Sequence, residues 1–194
     1  DSLSWLGYGR DGTGVDLVRT EMTADTVYLG QLSDPSGTPT VIDVDLVSSV
    51  DIPAIDQTYM SLDGAVPDGT HLVLASTDDA GNTSGTYLVT DDPHTNTVQM
   101  SDSIADELGQ FQIDTIDLHF AEDAELTITE EQILALSDTT DTVLIRGGSD
   151  DSVTITGAQL TGSQVVEGET YAEYTLGDAT VLIDDDITSV QGVV

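Results

Sequence analysis

The chain has 194 residues, enough to fill a hydrophobic core in one large domain or two small joined ones, and its formal charge of −34 sets it apart from an ordinary globular protein. Its only cationic side chains besides histidine are Arg10, Arg19 and Arg146, with no lysine, so salt bridges cannot neutralise the carboxylates. A field of this sign argues against nucleic acid and anionic lipid as partners, and no apolar run approaches the roughly 20 residues that cross a bilayer.

Such a density of like charge pushes against the compact state unless cations or salt screen it. The excess is mostly Asp rather than Glu, placed beside Gly, Asn, Ser and Thr in turns. That placement favours calcium, which takes about six to eight oxygen ligands, over a general adaptation to salt. With no cysteine, disulfides and thiolate metals are excluded, and metal ions are left as the available staples. The first residue, Asp1, lacks a basic leader before it, and the chain reads as a segment cut from a longer secreted protein.

Along the chain, Trp5, Tyr8 and Arg10 come first, a glycine-spaced aromatic and cationic cluster suited to ligand contact, with Arg10 able to meet a carboxylate. The alternative is that Trp5 is core and Arg10 pairs with one of many acids. Next, Asp11-Gly12-Thr13-Gly14-Val15-Asp16 sets two carboxylates, Asp11 and Asp16, on a flexible loop, a candidate calcium site or a plain turn. From Val41 to Val50 apolar and polar residues alternate, which predicts a half-buried strand, and Leu72–Ala75 and Thr86–Val89 predict two more. Turn-formers separate them at Asp34-Pro35-Ser36-Gly37, Asp63-Gly64, Pro67-Asp68-Gly69 and Asp78–Asn82. Asp78, Asp79 and Asn82 are expected to join Asp91 and Asp92 around one ion at an end of a sandwich; the bland reading is a solvated turn with Asn82 left-handed. The run from Ser61 to Asp92, with its PDGTH turn, strand, Asp-Ala-Gly-Asn turn and closing strand, resembles the last strands of the bacterial immunoglobulin-like modules found in tandem in giant surface adhesins.

The second half changes character at Leu126. Thr129 followed by Gln132 predicts a capping box and one short helix near residues 129–137. Strands are predicted at Thr142–Ile145, Val153–Ile155, Tyr171–Leu176 and Thr180–Ile183. The acidic pair and triplet that follow two of these, Asp150-Asp151 and Asp184-Asp185-Asp186, are further metal candidates, with the triplet as well placed at a boundary with a neighbouring module. The run from Leu126 to Val190, with Ile145-Arg146-Gly147-Gly148-Ser149-Asp150-Asp151-Ser152-Val153-Thr154-Ile155 at its centre, resembles a β-rich module of RTX (repeats-in-toxin) adhesins exported by type I secretion. Its closest analogue there is the calcium-dependent peptide-binding domain. The resemblance implies capture of the C-terminal end of a peptide, its carboxylate helped by bound calcium.

His71, His94 and His119 lie far apart without zinc spacing, and His71 reads as an ordinary strand residue. Neither a nucleophile elbow, a phosphate loop nor a dinucleotide fingerprint is present, so a binding role is expected in place of an enzyme. The expected fold is mainly β, a calcium-stabilised sandwich-like domain with one short helix. Residues 1–95 would form an Ig-like portion and 96–194 a β-rich portion, sharing one core because residues 95–120 contain no flexible linker. The expected role is calcium-dependent binding by an extracellular bacterial surface adhesin in cell attachment and biofilm. Its partner would be a peptide or protein on a host or neighbouring cell, or a sugar, beside flanking modules of the same adhesin. A calcium-stiffened spacer without ligand, and a module serving export, are the rival expectations.

Overall fold

A computed structural model describes residues 2–90 and 96–194. The elements run, in chain order, β1 (Trp5–Arg10), β2 (Val15–Glu21), β3 (Thr26–Ser33), β4 (Thr40–Asp43), β5 (Leu46–Ile52), β6 (Gln57–Val66), β7 (His71–Thr77) and β8 (Thr83–Val89). After these come α1 (Asp102–Leu108), β9 (Ile113–Asp117), β10 (Glu125–Thr127), α2 (Glu130–Leu136), β11 (Thr142–Arg146), β12 (Ser152–Thr154), β13 (Gln159–Val166), β14 (Glu169–Leu176), β15 (Ala179–Asp184) and β16 (Ser189–Gln191). The protein is mainly β, as expected, with its sheets in a sandwich-like arrangement.

The spine is a nine-stranded sheet in the order β13-β14-β15-β11-β9-β8-β7-β3-β4. Its β3–β4, β3–β7 and β7–β8 pairs are antiparallel; short turns join the first and the last, while β3 and β7 meet across the intervening β4, β5 and β6. From β8 onward the neighbours β9, β11 and β15 all run parallel, so each must be reached by a crossover. Two of these crossovers carry a strand of a second, all-parallel sheet, in the order β10-β12-β16. The chain thus passes from β9 to β10, from β11 to β12 and from β15 to β16 in three stacked turns of a short solenoid. Each turn cannot bury its apolar side alone, and stacking closes the core between the two parallel sheets. The rungs stack like on like: Thr142 faces Thr180, Val143 faces Val181, Leu144 faces Leu182 and Ile145 faces Ile183. The nine-stranded sheet carries strands from before and after residue 95, joined at the β8–β9 pair.

Side chains alternate between the faces of this spine. Ile116, Val143, Ile145, Val181 and Ile183 point inward to a core shared with Ile104 and Leu108 of α1, Ile133 and Leu136 of α2, and Leu126 and Val153 of the small sheet. Tyr87 is fully buried in this core, and its hydroxyl reaches out to donate to the carbonyl of Gln99 at 2.7 Å. On the opposite face, at the antiparallel end, Leu29, Leu72, Leu74 and Leu88 pack against Trp5, Val18, Met60 and Leu62. These last residues belong to β1, β2 and β6 of the four-stranded sheet β1-β2-β6-β5, which lies over that end.

Two expectations require correction. The alternating run Val41–Val50 is not one half-buried strand: it splits into β4, an edge of the large sheet, and β5, an edge of the four-stranded sheet. Val44, between them, donates its N–H to the Leu29 carbonyl and packs into the core, which turns the chain from one layer to the other. β5 is largely exposed on both faces, so its alternation does not mark a buried side. Secondly, the described residues hold two short α-helices, not one. The expected helix is present as α2, with Thr129 and Gln132 forming a reciprocal capping box. The unexpected α1 is capped by Ser101, whose side chain accepts from the N–H of Ile104, and it packs on α2 through a single apolar side of Ile104, Ala105 and Leu108. At seven residues, three of them acidic, its pattern is too short to stand out from a polar loop.

Candidate functional site

The four-stranded sheet covers only the antiparallel end of the spine. Over the parallel end, the outward face of β9, β11 and β15 carries Thr115, Leu144 and Leu182 in one row and Asp117 and Arg146 in the next. Asp184 follows Ile183 and closes that second row beside Arg146. The roof over these rows comes from two pieces of chain: the N-terminal segment Ser2–Leu6 and the β13–β14 turn. The latter is a tight hairpin in which Glu167 and Gly168 both take positive φ, at 52° and 95°.

Between roof and sheet lie two adjoining clefts that share Ser4 and Arg146. One, of about 230 Å³, has an apolar floor of Leu144, Leu182 and Val166, edged by the hydroxyls of Ser2, Thr115 and Thr142. Ser2 Oγ lies 2.8 Å from Thr115 Oγ1, fastening the roof to the sheet. Asp114 also lines this cleft, and burial raises its carboxyl above the usual carboxylate range.

The other cleft, of about 410 Å³, is lined by Asp117, His119, Phe120, Arg146, Glu169, Asp184 and Asp186, with Trp5 in its wall. Asp117 and Asp184 are almost fully buried. Asp117 Oδ1 accepts from the backbone N–H of His119 at 3.0 Å and lies 3.1 Å from its Nδ1. That contact raises the His119 pKa above its ordinary value despite the opposing effect of burial, helped by the more distant charges of Asp184 and Asp151. Arg146 approaches Glu167 at 3.7 Å and also bonds the Tyr171 hydroxyl. Asp184 Oδ1 accepts from the N–H of Asp186, at 3.2 Å.

The residues singled out from sequence divide accordingly. Trp5 is buried, packing edge-on to Phe120 at 5.9 Å, and its indole Nε1 is enclosed without a hydrogen-bond partner. Tyr8 meets Phe120 at 5.6 Å and donates its hydroxyl to the Phe120 carbonyl. Arg10 stands at the far end of β1, 3.1 Å from Asp68 and 5.4 Å above the Tyr8 ring. Of the three, only Trp5 lines the cleft.

The Asp-rich turns are closed by their own backbone. Asp11 Oδ1 accepts from the N–H and hydroxyl of Thr13 and the N–H of Gly14, which holds its pKa below the ordinary value; Asp16 sits on β2. Asp78 accepts from Ala80 N–H, Asn82 N–H and the Asn82 amide, with the same effect, and Asp79 is exposed. The left-handed residue of that turn is Gly81, at φ 88°, not Asn82. Asp91, Asp92 and His94 lie outside the described residues. Asp150 Oδ2 receives the N–H of Asp123. Asp151, only 2% exposed, bridges two solenoid turns: Oδ1 accepts from Ala124 N–H at 2.9 Å and Oδ2 from Gly148 N–H at 2.7 Å. Burial nonetheless pushes its pKa up to about 6. Asp185 is exposed and donates its N–H to the Thr170 carbonyl.

These arrangements do not fit a ready-made calcium cage. Among the described residues no group of three or more His, Asp or Glu side chains is placed to hold an ion. The carboxylate oxygens of Asp11, Asp78 and Asp151 already accept several N–H groups each.

Asp117, His119, Phe120, Arg146 and Glu169 were not foreseen as site residues. One signal was available: Thr-Val-Leu-Ile occurs twice, at 142–145 and 180–183, each time followed by a charged residue, Arg146 or Asp184. A repeated strand followed by charge marks successive rungs whose ends meet at one edge.

Comparison with known proteins finds no matching family model, no matching curated protein and no matching solved structure.

Proposed function

We propose that this chain is a ligand-binding module of an extracellular bacterial surface adhesin, and that its ligand, a peptide, lies in the twin clefts over β9, β11 and β15. The observation that carries the reading is the junction of an apolar-floored cleft with a cleft of buried charge, meeting at Ser4 and Arg146. Binding sites combine apolar floor with a few convergent polar groups in this way. Calcium enters the proposal through charge balance. A net −34 with three guanidinium groups calls for counter-ions, and exposed acids such as Asp79, Asp185 and Asp186 offer them places without a preformed cage. No step of ligand binding is assigned to the ion.

The spacer reading has one observation of its own. The Asp11 and Asp78 turns are rigidified by internal hydrogen bonds, as suits a stiff structural unit. Calorimetry separates the two: calcium is titrated into metal-stripped protein, then short peptides and sugars into the calcium-loaded form. Peptide capture that is lost when the clefts are altered supports the binding module. A calcium-raised melting temperature with no ligand response supports the spacer.

A further inference from the structure

The chemistry of the larger cleft points to a particular ligand group. We propose that it receives the ammonium of a lysine in an extended peptide, whose neighbouring aliphatic side chain lies in the adjoining cleft over Leu144 and Leu182; this rests on the binding-module reading.

Four carboxylates line the larger cleft, from Asp117, Glu169, Asp184 and Asp186, against one guanidinium and one imidazole. Both cationic groups are already engaged, Arg146 with Tyr171 and Glu167, and His119 with Asp117. Among the described residues no salt bridge reaches Glu169, Asp184 or Asp186. Asp184 is nearly buried, and the cationic groups near it, His119 and Arg146, are shared with Asp117 and Glu167, so the cleft keeps an excess of carboxylate that a further cation would relieve. The protein has no lysine with which to fill the place itself.

The walls agree with a cation. Trp5 and Phe120 present aromatic surface to the same cleft, and an ammonium close to such rings gains further attraction. A metal ion fits less well, since no three acids or histidines converge on one point among the described residues. An alkylammonium donates hydrogen bonds to acceptors spread over a wider arc, because its three donors rotate on a flexible stem. The smaller cleft, about 230 Å³ with a Leu144, Leu182 and Val166 floor, exceeds the roughly 150 Å³ cavity that holds a benzene and so admits an aliphatic side chain. Because the clefts adjoin, a Leu-Lys pair in an extended strand can address both. The surrounding negative field would speed its arrival and make affinity fall with ionic strength.

The test uses three end-blocked tetrapeptides carrying Leu-Lys, Leu-norleucine or Leu-Glu at their centre, titrated calorimetrically into the full chain with and without calcium. The Leu-Lys peptide is expected to bind at least about tenfold tighter than the norleucine peptide, the weight of one or two charge-assisted hydrogen bonds. The glutamate peptide should not bind. Asp186→Asn and Glu169→Gln, both at exposed positions and so safe for folding, should each lower Leu-Lys affinity about fivefold and reduce its salt dependence. Equal binding of lysine and norleucine peptides, or full affinity in both variants, overturns the proposal. Uptake of calcium alone, lost in the same variants and with no peptide response, overturns it in favour of a metal site. If a carboxylate-bearing peptide or a sugar binds while these variants change nothing, this assignment fails and the binding-module reading stands. If no ligand of any kind binds, the module reading fails with it.

Discussion

Asp151 supplies the sharpest test of the solenoid's internal chemistry. Its carboxylate clasps the turn before β10 to the turn before β12 through Ala124 N–H and Gly148 N–H, yet burial raises its pKa from 3.8 to about 6. A raised folded-state pKa means that the native protein holds this proton more tightly than the unfolded chain does. Between about pH 4 and 6 the native state therefore binds more protons, and stability from this group increases as pH falls. Integrating the two titrations gives about 2 kcal/mol gained by the native state between pH 7 and pH 4. Asp151→Asn cannot titrate. It also keeps a single acceptor oxygen for two N–H donors, a loss of roughly 1–3 kcal/mol that does not depend on pH. The assay is urea unfolding of wild type and variant at pH 7 and pH 4, followed by the fluorescence of Trp5, the single tryptophan. The shifts of every other acid cancel in the comparison. The variant's deficit relative to wild type should widen by about 2 kcal/mol at pH 4. An unchanged deficit would mean that Asp151 titrates as an ordinary carboxylate and that the reasoning from its burial is wrong.

Other outcomes follow from the same geometry. His71 is buried on β7, its Nε2 accepting the Gln99 N–H at 2.9 Å, and burial depresses its pKa to about 4. The unfolded chain alone takes up this proton below about pH 6.5, so the group removes stability as pH falls, about 3 kcal/mol by pH 4; an NMR titration of the ring should show no protonation until near pH 4. Thr129→Ala removes one half of the α2 capping box and should cost about 1 kcal/mol in chemical unfolding. Gly14 sits at φ 154° with the Val66 carbonyl where a β-carbon would lie, so Gly14→Ala should force β2 away from β6 and lower the melting temperature far more than the open-site change Gly12→Ala. With a net charge of −34, the melting temperature should rise between about 0.05 and 1 M sodium chloride, and a flat response would show that self-repulsion is already relieved.

Much of the local structure was legible because it depends on near neighbours. The apolar runs around Leu72, Thr86, Val143 and Val181 are strands, and Thr129 with Gln132 caps a helix as their spacing requires. β5 shows the limit of that logic: its alternation is real, but an edge strand open on both faces buries neither set, and only the position of its neighbours reveals this. The turn aspartates show another. Asp11 and Asp78 sit in the setting a calcium ligand needs, and the same setting lets their carboxylates close their own turns with backbone N–H groups. Apolar alternation and turn residues determined a β-rich chain, and composition its net charge of −34. Tertiary structure decided where that charge counts: Asp117, Arg146 and Asp184 lie 67 positions apart from first to last, and only parallel stacking of β9, β11 and β15 sets them side by side beneath Trp5. Register between distant strands is fixed by burial of the inward Ile and Val side chains, so the outward charges are aligned as a consequence of packing that no local pattern contains.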